Sequence, residues 1–277
     1  MQITCWGCRG SLPTPGHSTV KYGGNTTCFQ IDGKDGTLII IDAGTGLRAL
    51  GNHLIKEDPR KNITMLVTHA HWDHLLGFPF FVPAYSKKYS IDIKGCFGTS
   101  YALKDIISHQ FKAPYFPVKF RQLTAKITFE QASRRTFRVG GIKIESIQLN
   151  HPGGGSGYKF TEGKKSFVFL TDNELDFQHK EGLKRERYVD FCKGATLLIH
   201  DAQYTTEEYE RLNRSWGHST YDDAFDLAHD AGARRLGFCH HDQERKDDEL
   251  DHLDSSYRSK LLKIPCFVVR EKSTYTL

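Results

Sequence analysis

The chain has 277 residues, 38 of them lysine or arginine against 33 aspartate or glutamate, and 38% hydrophobic with 12% aromatic side chains. That is enough apolar material for one large core, and the expectation is a single domain over residues 1–277. The net charge of +5 is too slight to be a nucleic-acid-binding signature, and no apolar run approaches the roughly 20 residues of a membrane span.

The opening MQITCWGCRGSL lacks both the basic start and the apolar stretch of a secretory signal. Seven cysteines, odd in number and scattered, argue against a disulfide framework and for a reducing, cytoplasmic setting. Cys5 and Cys8 form a lone C-x-x-C. They read as two small buried residues at a strand end, or as a metal or redox pair.

In chain order, TCFQID and TLIIIDAGTG flank GKDG and predict two paired strands with a glycine turn. GLRALGNHLIKE has helical periodicity. ITMLVTHAH reads as a buried strand running onto histidines. SYALKDIISHQF is a predicted helix and ITFEQ a strand. RTFRVGGIKIESIQLNH divides into two strands about Gly140–Gly141, and SGYKFTEGKKSFVFLTD into a hairpin. ATLLIHDAQY is a strand. TYDDAFDLAHDAG is a helix that starts near Thr220 and stops at Gly232, and RRLGFCHHD is a last strand.

Strand after strand therefore ends on a histidine or aspartate: His69, His151, Asp172, Asp201 and His240. Layered folds of helices and strands gather binding groups at strand ends. Hairpins mixed with helices predict an α+β fold of two packed mixed sheets flanked by helices, rather than one parallel sheet.

THAHWDH, from Thr68 to His74, is the densest chemistry in the chain. Two histidines two apart, His69 and His71, face one side of an extended segment, and Asp73 and His74 follow after a turn. Imidazole and carboxylate donors suit zinc, and also manganese or iron. Two divalent ions roughly 3.5–4 Å apart would form a clamp for an in-line displacement. A surface histidine cluster explains neither the aspartate nor the buried strand before it.

The segment resembles the H-x-H-x-D-H signature of the metallo-β-lactamase superfamily. IDAGTG before it, then LNHPGGGSGY, FLTDNE and GFCHHD, follow in the family's order between residues 42 and 240. The resemblance implies an αββα sandwich with its site at one edge of the two sheets. It implies one metal held by His69, His71 and His151, and a second held by Asp73, His74 and His240. Asp172 would bridge them together with a water or hydroxide. Asp42 would orient a ligand by hydrogen bonding, or else simply form the turn before Gly44. His240 is preferred to His241, which would point to the opposite face if the strand continued. Two cations lower the pKa of a bridging water and stabilise charge gathering on an ester or phosphodiester oxygen. Asp73 would position the resulting hydroxide, so hydrolysis is the expected reaction.

WGHST and LLIHDAQY resemble two segments of ribonuclease Z and its related phosphodiesterases, with Asp201 where a glutamate is usual. This implies that His218 is a general acid or phosphate contact and that Asp201 orients it. The plainer alternative is a helix cap by Ser219 or Thr220 beside an idle histidine. His200 reads as structural. GCRGSLPTPG and YGGNTTC also resemble that branch. Their backbone N–H groups would approach a phosphate, or merely turn the chain. HPGGGSGY reads as backbone freedom around His151.

Ribonuclease Z carries a glycine- and proline-rich arm that grips tRNA, and no such insertion is visible here. With the shorter Asp201, this points to a compact phosphodiesterase for a small substrate, 3′,5′-cyclic nucleotides foremost. An RNA 3′-end nuclease, a lactonase-type ester hydrolase with no use for His218, and a non-enzymatic nucleotide-binding protein are the alternatives. The resemblance also implies a homodimer. The aromatics of FPFFVPAYSKKY and HQFKAPYFPVKF would form a wall or lid that stacks on a base, or fill the core and a subunit contact. Trp72 reads either as a pocket wall or as packing under its loop.

Overall fold

Leu38–Ile41 is a strand of four consecutive aliphatic residues, every one buried. Ile39 and Ile41 belong to one apolar cluster, Leu38 and Ile40 to another, because strand side chains alternate between faces. A strand of this kind needs a layer on each side. The computed structural model, which describes residues 1–95, 103–130, 135–259 and 264–277, supplies both.

The first sheet contains β1 (Gln2–Gly7), β2 (Cys28–Asp32), β3 (Leu38–Ile41), β4 (Asn62–Val67), β5 (Ser90–Gly95) and β6 (Lys126–Glu130). The second contains β7 (Thr136–Val139), β8 (Ile142–Gln148), β9 (Ser156–Glu162), β10 (Lys165–Leu170), β11 (Leu197–Asp201), β12 (Leu236–Cys239) and β13 (Cys266–Val268). The last strand, β14 (Thr274–Thr276), returns to the first sheet, whose order is β14-β1-β2-β3-β4-β5-β6. The second sheet runs β13-β12-β11-β10-β9-β8-β7. One sheet is antiparallel from β14 to β3 and parallel from β3 to β6. The other is antiparallel from β7 to β10 and parallel from β10 to β13.

The inner faces meet in a shared core. Ile39, Ile41 and Leu66 lie against Phe160, Phe167, Phe169 and Ile199, and the Phe29 and Phe169 ring centroids are 5.0 Å apart. Each fully buried side chain of this size contributes about 1.5–3 kcal/mol relative to exposure. α1 (Gly46–Lys56) and α2 (Leu103–His109) cover the outer face of the first sheet through Leu47, Leu50, Leu54 and Ile107. α3 (Arg185–Cys192) begins the cover of the second. α4 (Thr206–Glu208) is a single turn capped by Thr205. α5 (Tyr221–Asp230) and α6 (Asp247–Ser259) complete the cover with Ala224, Leu227, Leu250 and Tyr257. The arrangement is an αββα sandwich. No helix among the described residues is long and apolar enough to cross a membrane.

The strands and helices expected from the sequence are present. Residues 100–102 of the SYALKDIISHQF helix, Gln131 of ITFEQ, and Cys96 lie outside the described residues. Three strands and three helices were not anticipated, β5, β13, β14, α3, α4 and α6, and β1 was hinted at only by the reading of Cys5 and Cys8 at a strand end. Cys5 within β1 and Cys8 just beyond it are fully buried free thiols. Carboxyl ends of β3, β4, β8, β10, β11 and β12 come to one edge of the sandwich, and the chain segments leaving them carry the histidines and aspartates.

Candidate metal centre

Three of these strands break off abruptly. Asp42 follows β3 with a φ of 59°, Asp172 follows the end of β10 with 53°, and His240 follows β12 with 60°. Left-handed backbone is uncommon outside glycine, and aspartate and histidine are among the residues that tolerate it. Here it turns Asp172 and His240 toward each other and Asp42 toward His74.

Asp172 lies in the middle. Its Oδ2 is 3.5 Å from His69 Nε2 and 3.9 Å from His151 Nε2. Its Oδ1 is 3.3 Å from His74 Nε2 and 3.4 Å from His240 Nε2. His151 Nε2 is 3.1 Å from His71 Nδ1, and Asp73 Oδ2 is 3.2 Å from both His74 Nε2 and His240 Nε2. The result is two donor groups that share one carboxylate: His69, His71, His151 and Asp172, and Asp73, His74, Asp172 and His240. Within each group the donor atoms lie within 4.8 Å of one another.

The other nitrogen of four rings is anchored. His74 Nδ1 donates to Asp42 Oδ2 at 2.8 Å, and the same carboxylate accepts from the Thr68 N–H and hydroxyl. With its proton committed to Asp42, the Thr68 oxygen accepts from His69 Nδ1 at 3.1 Å. His151 Nδ1 donates to the Gly217 carbonyl at 2.9 Å, and His240 Nδ1 to Gln203 Oε1 at 3.0 Å. These partners fix the tautomer and leave each Nε2 lone pair directed at the centre. His69 Nε2 and His74 Nε2 are buried without a hydrogen-bond partner, as a cation's ligands would be.

Burial pushes the His69 and His151 imidazoles down, the latter to about 4. Burial alone would raise Asp73 and Asp172, but the imidazoles around them, His74 and His240 among them, outweigh it and hold both well below the usual carboxylate range. His74 moves the other way. Its burial is overcome by Asp73, Asp172 and Asp42, which raise it. Asp172 and Asp73 likewise raise His240 against its burial, and a divalent cation bound at the centre would take the place of the positive charge they favour there. The donor set therefore fits two such cations. Replacing Asp42 by alanine frees the His74 ring and leaves Thr68 unsatisfied, and is expected to weaken metal retention about 10–100-fold in chelator competition.

His218 stands beside this group. Its Nδ1 donates to Asp201 Oδ2 at 3.0 Å, and its ring stacks on His240 with centroids 4.8 Å apart. Burial would raise the Asp201 carboxyl, yet hydrogen bonds from His200 and His218 hold it below its ordinary range. The helix cap exists too: Thr220 accepts from Asp223 N–H, while Ser219 Oγ donates to Asn173 O. His200 is fully buried and donates to the Asp201 carbonyl. His241 faces away, bonded to the Val269 carbonyl at 2.7 Å.

The GCRGSLPTPG segment, singled out in the sequence as a phosphate approach or a plain turn, has a supporting role that the sequence did not show. Ser11 N–H donates to Asp73 Oδ2 at 2.9 Å, and a Cβ at Gly10 would lie 2.5 Å from His240 Nδ1. The GCRGS turn is therefore packed against the candidate ligands themselves. Of the aromatic segment, Phe78, Phe81 and Phe111 are core residues, whereas Phe80 and Tyr115 are exposed.

A sandwich of this topology with paired histidine–aspartate donor groups at its strand ends defines a metal-binding β-lactamase-type fold. Residues 37–241 match the family described as the β-lactamase superfamily domain, and the chain belongs to that family. The chain is 24% identical to ribonuclease Z of Haloarcula marismortui over 285 positions, covering 87% of this chain and 86% of that one. Among solved structures it resembles the short form of human tRNase Z, with a TM-score of 0.68 at 18% identity, covering all of this chain and 99% of that one. It also resembles a diphosphatase of the PhnP family, with a TM-score of 0.71 at 16% identity, covering all of this chain and 97% of that one.

Proposed function

We propose that the protein is a binuclear metal-dependent phosphodiesterase for small phosphodiesters, 3′,5′-cyclic nucleotides foremost. The observation that carries this reading is the His218–Asp201 pair stacked against His240, at the flank of two donor groups that share Asp172. Two divalent cations, zinc by the donor types, would supply an activated water and neutralise charge on the phosphoryl oxygens.

The chain's own groups then divide the remaining work. Asp73, held by Ser11 N–H, orients the attacking water. His218 delivers a proton to the departing ester oxygen, and Asp201 keeps its Nδ1 protonated so that Nε2 faces the reaction. Trp72, 78% exposed next to His71, and Trp216, 59% exposed next to Gly217, offer flat apolar faces on which a base can stack. The names of the relatives, a ribonuclease and a diphosphatase, support chemistry at phosphorus.

The test is a panel of cAMP, cGMP, cCMP, cUMP, linear dinucleotides, precursor tRNA and a lactone, offered to metal-loaded protein, with His69→Ala as control. Cyclic nucleotides are expected to turn over with two metal ions per chain by elemental analysis. Cleavage of precursor tRNA alone would assign the protein to RNA processing instead. Lactone turnover without any phosphodiester cleavage would overturn the proposal.

A further inference from the structure

Glu174 is two residues beyond Asp172 and fully buried, yet it belongs to neither donor group. Its carboxylate accepts four hydrogen bonds, two on each oxygen. Oε1 accepts from the Tyr209 hydroxyl at 2.6 Å and from Ser215 N–H at 2.7 Å. Oε2 accepts from His179 Nε2 at 2.6 Å and from Gly217 N–H at 2.7 Å. The acceptor capacity of a carboxylate is thereby used in full.

Two of those donors are main-chain groups on either side of Trp216, and both residues are left-handed, with φ of 71° at Ser215 and 96° at Gly217. Such a turn persists only where its surroundings impose it. The next residue is His218, and a Cβ at position 217 would collide with the His151 ring, so the turn has no slack on that side. The Gly217 carbonyl in turn holds His151 Nδ1. One carboxylate thus sets the path of the chain that delivers His218 to the centre.

We propose that Glu174 is a positioning residue, which fixes the Ser215–Gly217 turn and thereby places His218 against the departing oxygen of the substrate. The inference rests on the role given above to His218. Glutamine at 174 keeps the volume but turns one acceptor into a donor facing an N–H or O–H. Aspartate keeps the charge and shortens the reach by one methylene.

The experiment measures kcat and KM at saturating metal on two substrates, a cyclic nucleotide with an alkoxide leaving group and bis(p-nitrophenyl) phosphate, whose leaving group needs no proton. Glu174→Gln is expected to lower kcat on the first by about a hundredfold with KM little changed, as misplacement of a reacting group does, and to spare the second. Glu174→Asp should recover part of the loss. The Glu174→Gln/His218→Ala double variant should be no slower than His218→Ala alone. If Glu174→Gln does not fold, the same cycle run with Glu174→Asp decides. Losses that multiply in the double variant, or that fall equally on both substrates, would show that Glu174 only holds the fold and would overturn the proposal. A parent-like His218→Ala would overturn the reading of His218 as well, which separates the two failures.

Discussion

Alanine at position 172 is expected to lower kcat/KM by about a thousandfold or more, the loss of roughly 4 kcal/mol of transition-state stabilisation by the cations. Among the described residues, Asp172 is the one side chain that belongs to both donor groups. Asp172 Oδ2 faces His69 and His151, and Oδ1 faces His74 and His240. Without it the first group is left with three neutral imidazoles and the second with Asp73 as its one carboxylate. Metal stoichiometry then falls below two per chain, because an all-imidazole site lacks the negative charge that offsets a divalent ion. Elemental analysis after dialysis, together with kcat/KM at saturating metal, checks both parts. A variant that keeps two ions and parental turnover would show that the carboxylate does not bridge.

His218→Ala has the second-largest expected effect, a fall in kcat of about 10²–10⁴-fold on an alkoxide leaving group. KM should change little, and metal content should stay near two per chain, since His218 lies outside the two groups that share Asp172, although with Asp201 and His240 it forms a third cluster of ligand-type side chains. Asp201→Asn should approach the same loss, because an amide can present its N–H to His218 Nδ1 and so favour the unproductive tautomer. The two variants combined should lose no more than His218→Ala alone. Steady-state kinetics on a cyclic nucleotide and on an activated aryl ester separate proton delivery from binding. Equal losses on both would remove the acid role.

The ligand-type residues were legible because each follows an apolar strand signal, and strand ends are where sandwich folds place polar groups. THAHWDH after ITMLV and HHD after LGFC announce themselves in this way. The elements that escaped notice were those with weak patterns. Within α6 only Leu250 and Tyr257 are buried, among mostly charged neighbours, and β5, SIDIKG, alternates over just six residues. The supporting residues were invisible for a different reason. Gln203 is an unremarkable glutamine until His240, 37 positions away, bonds to it. Ser11 acquires its meaning from Asp73 at a separation of 62, and Glu174 from Ser215 at 41. Such roles belong to the folded chain and leave no local mark. Even Thr68, inside the quoted motif, is identified only by the Asp42 carboxylate it shares with His74.

The left-handed backbone at Asp42, Asp172 and His240 sets fold and chemistry against each other. Glycine would suit that conformation better than a side chain by up to about 1–2 kcal/mol at each position, a local backbone cost that the side chains' own contacts must offset. At Asp42 the side chain offsets that cost, because its buried carboxylate accepts from the Thr68 N–H, the Thr68 hydroxyl and His74, and glycine there would relax the backbone while leaving those donors unpaired. Engineering that raises the melting temperature of this protein therefore belongs in the helical layers and the inter-sheet core, away from the tips of β3, β10 and β12.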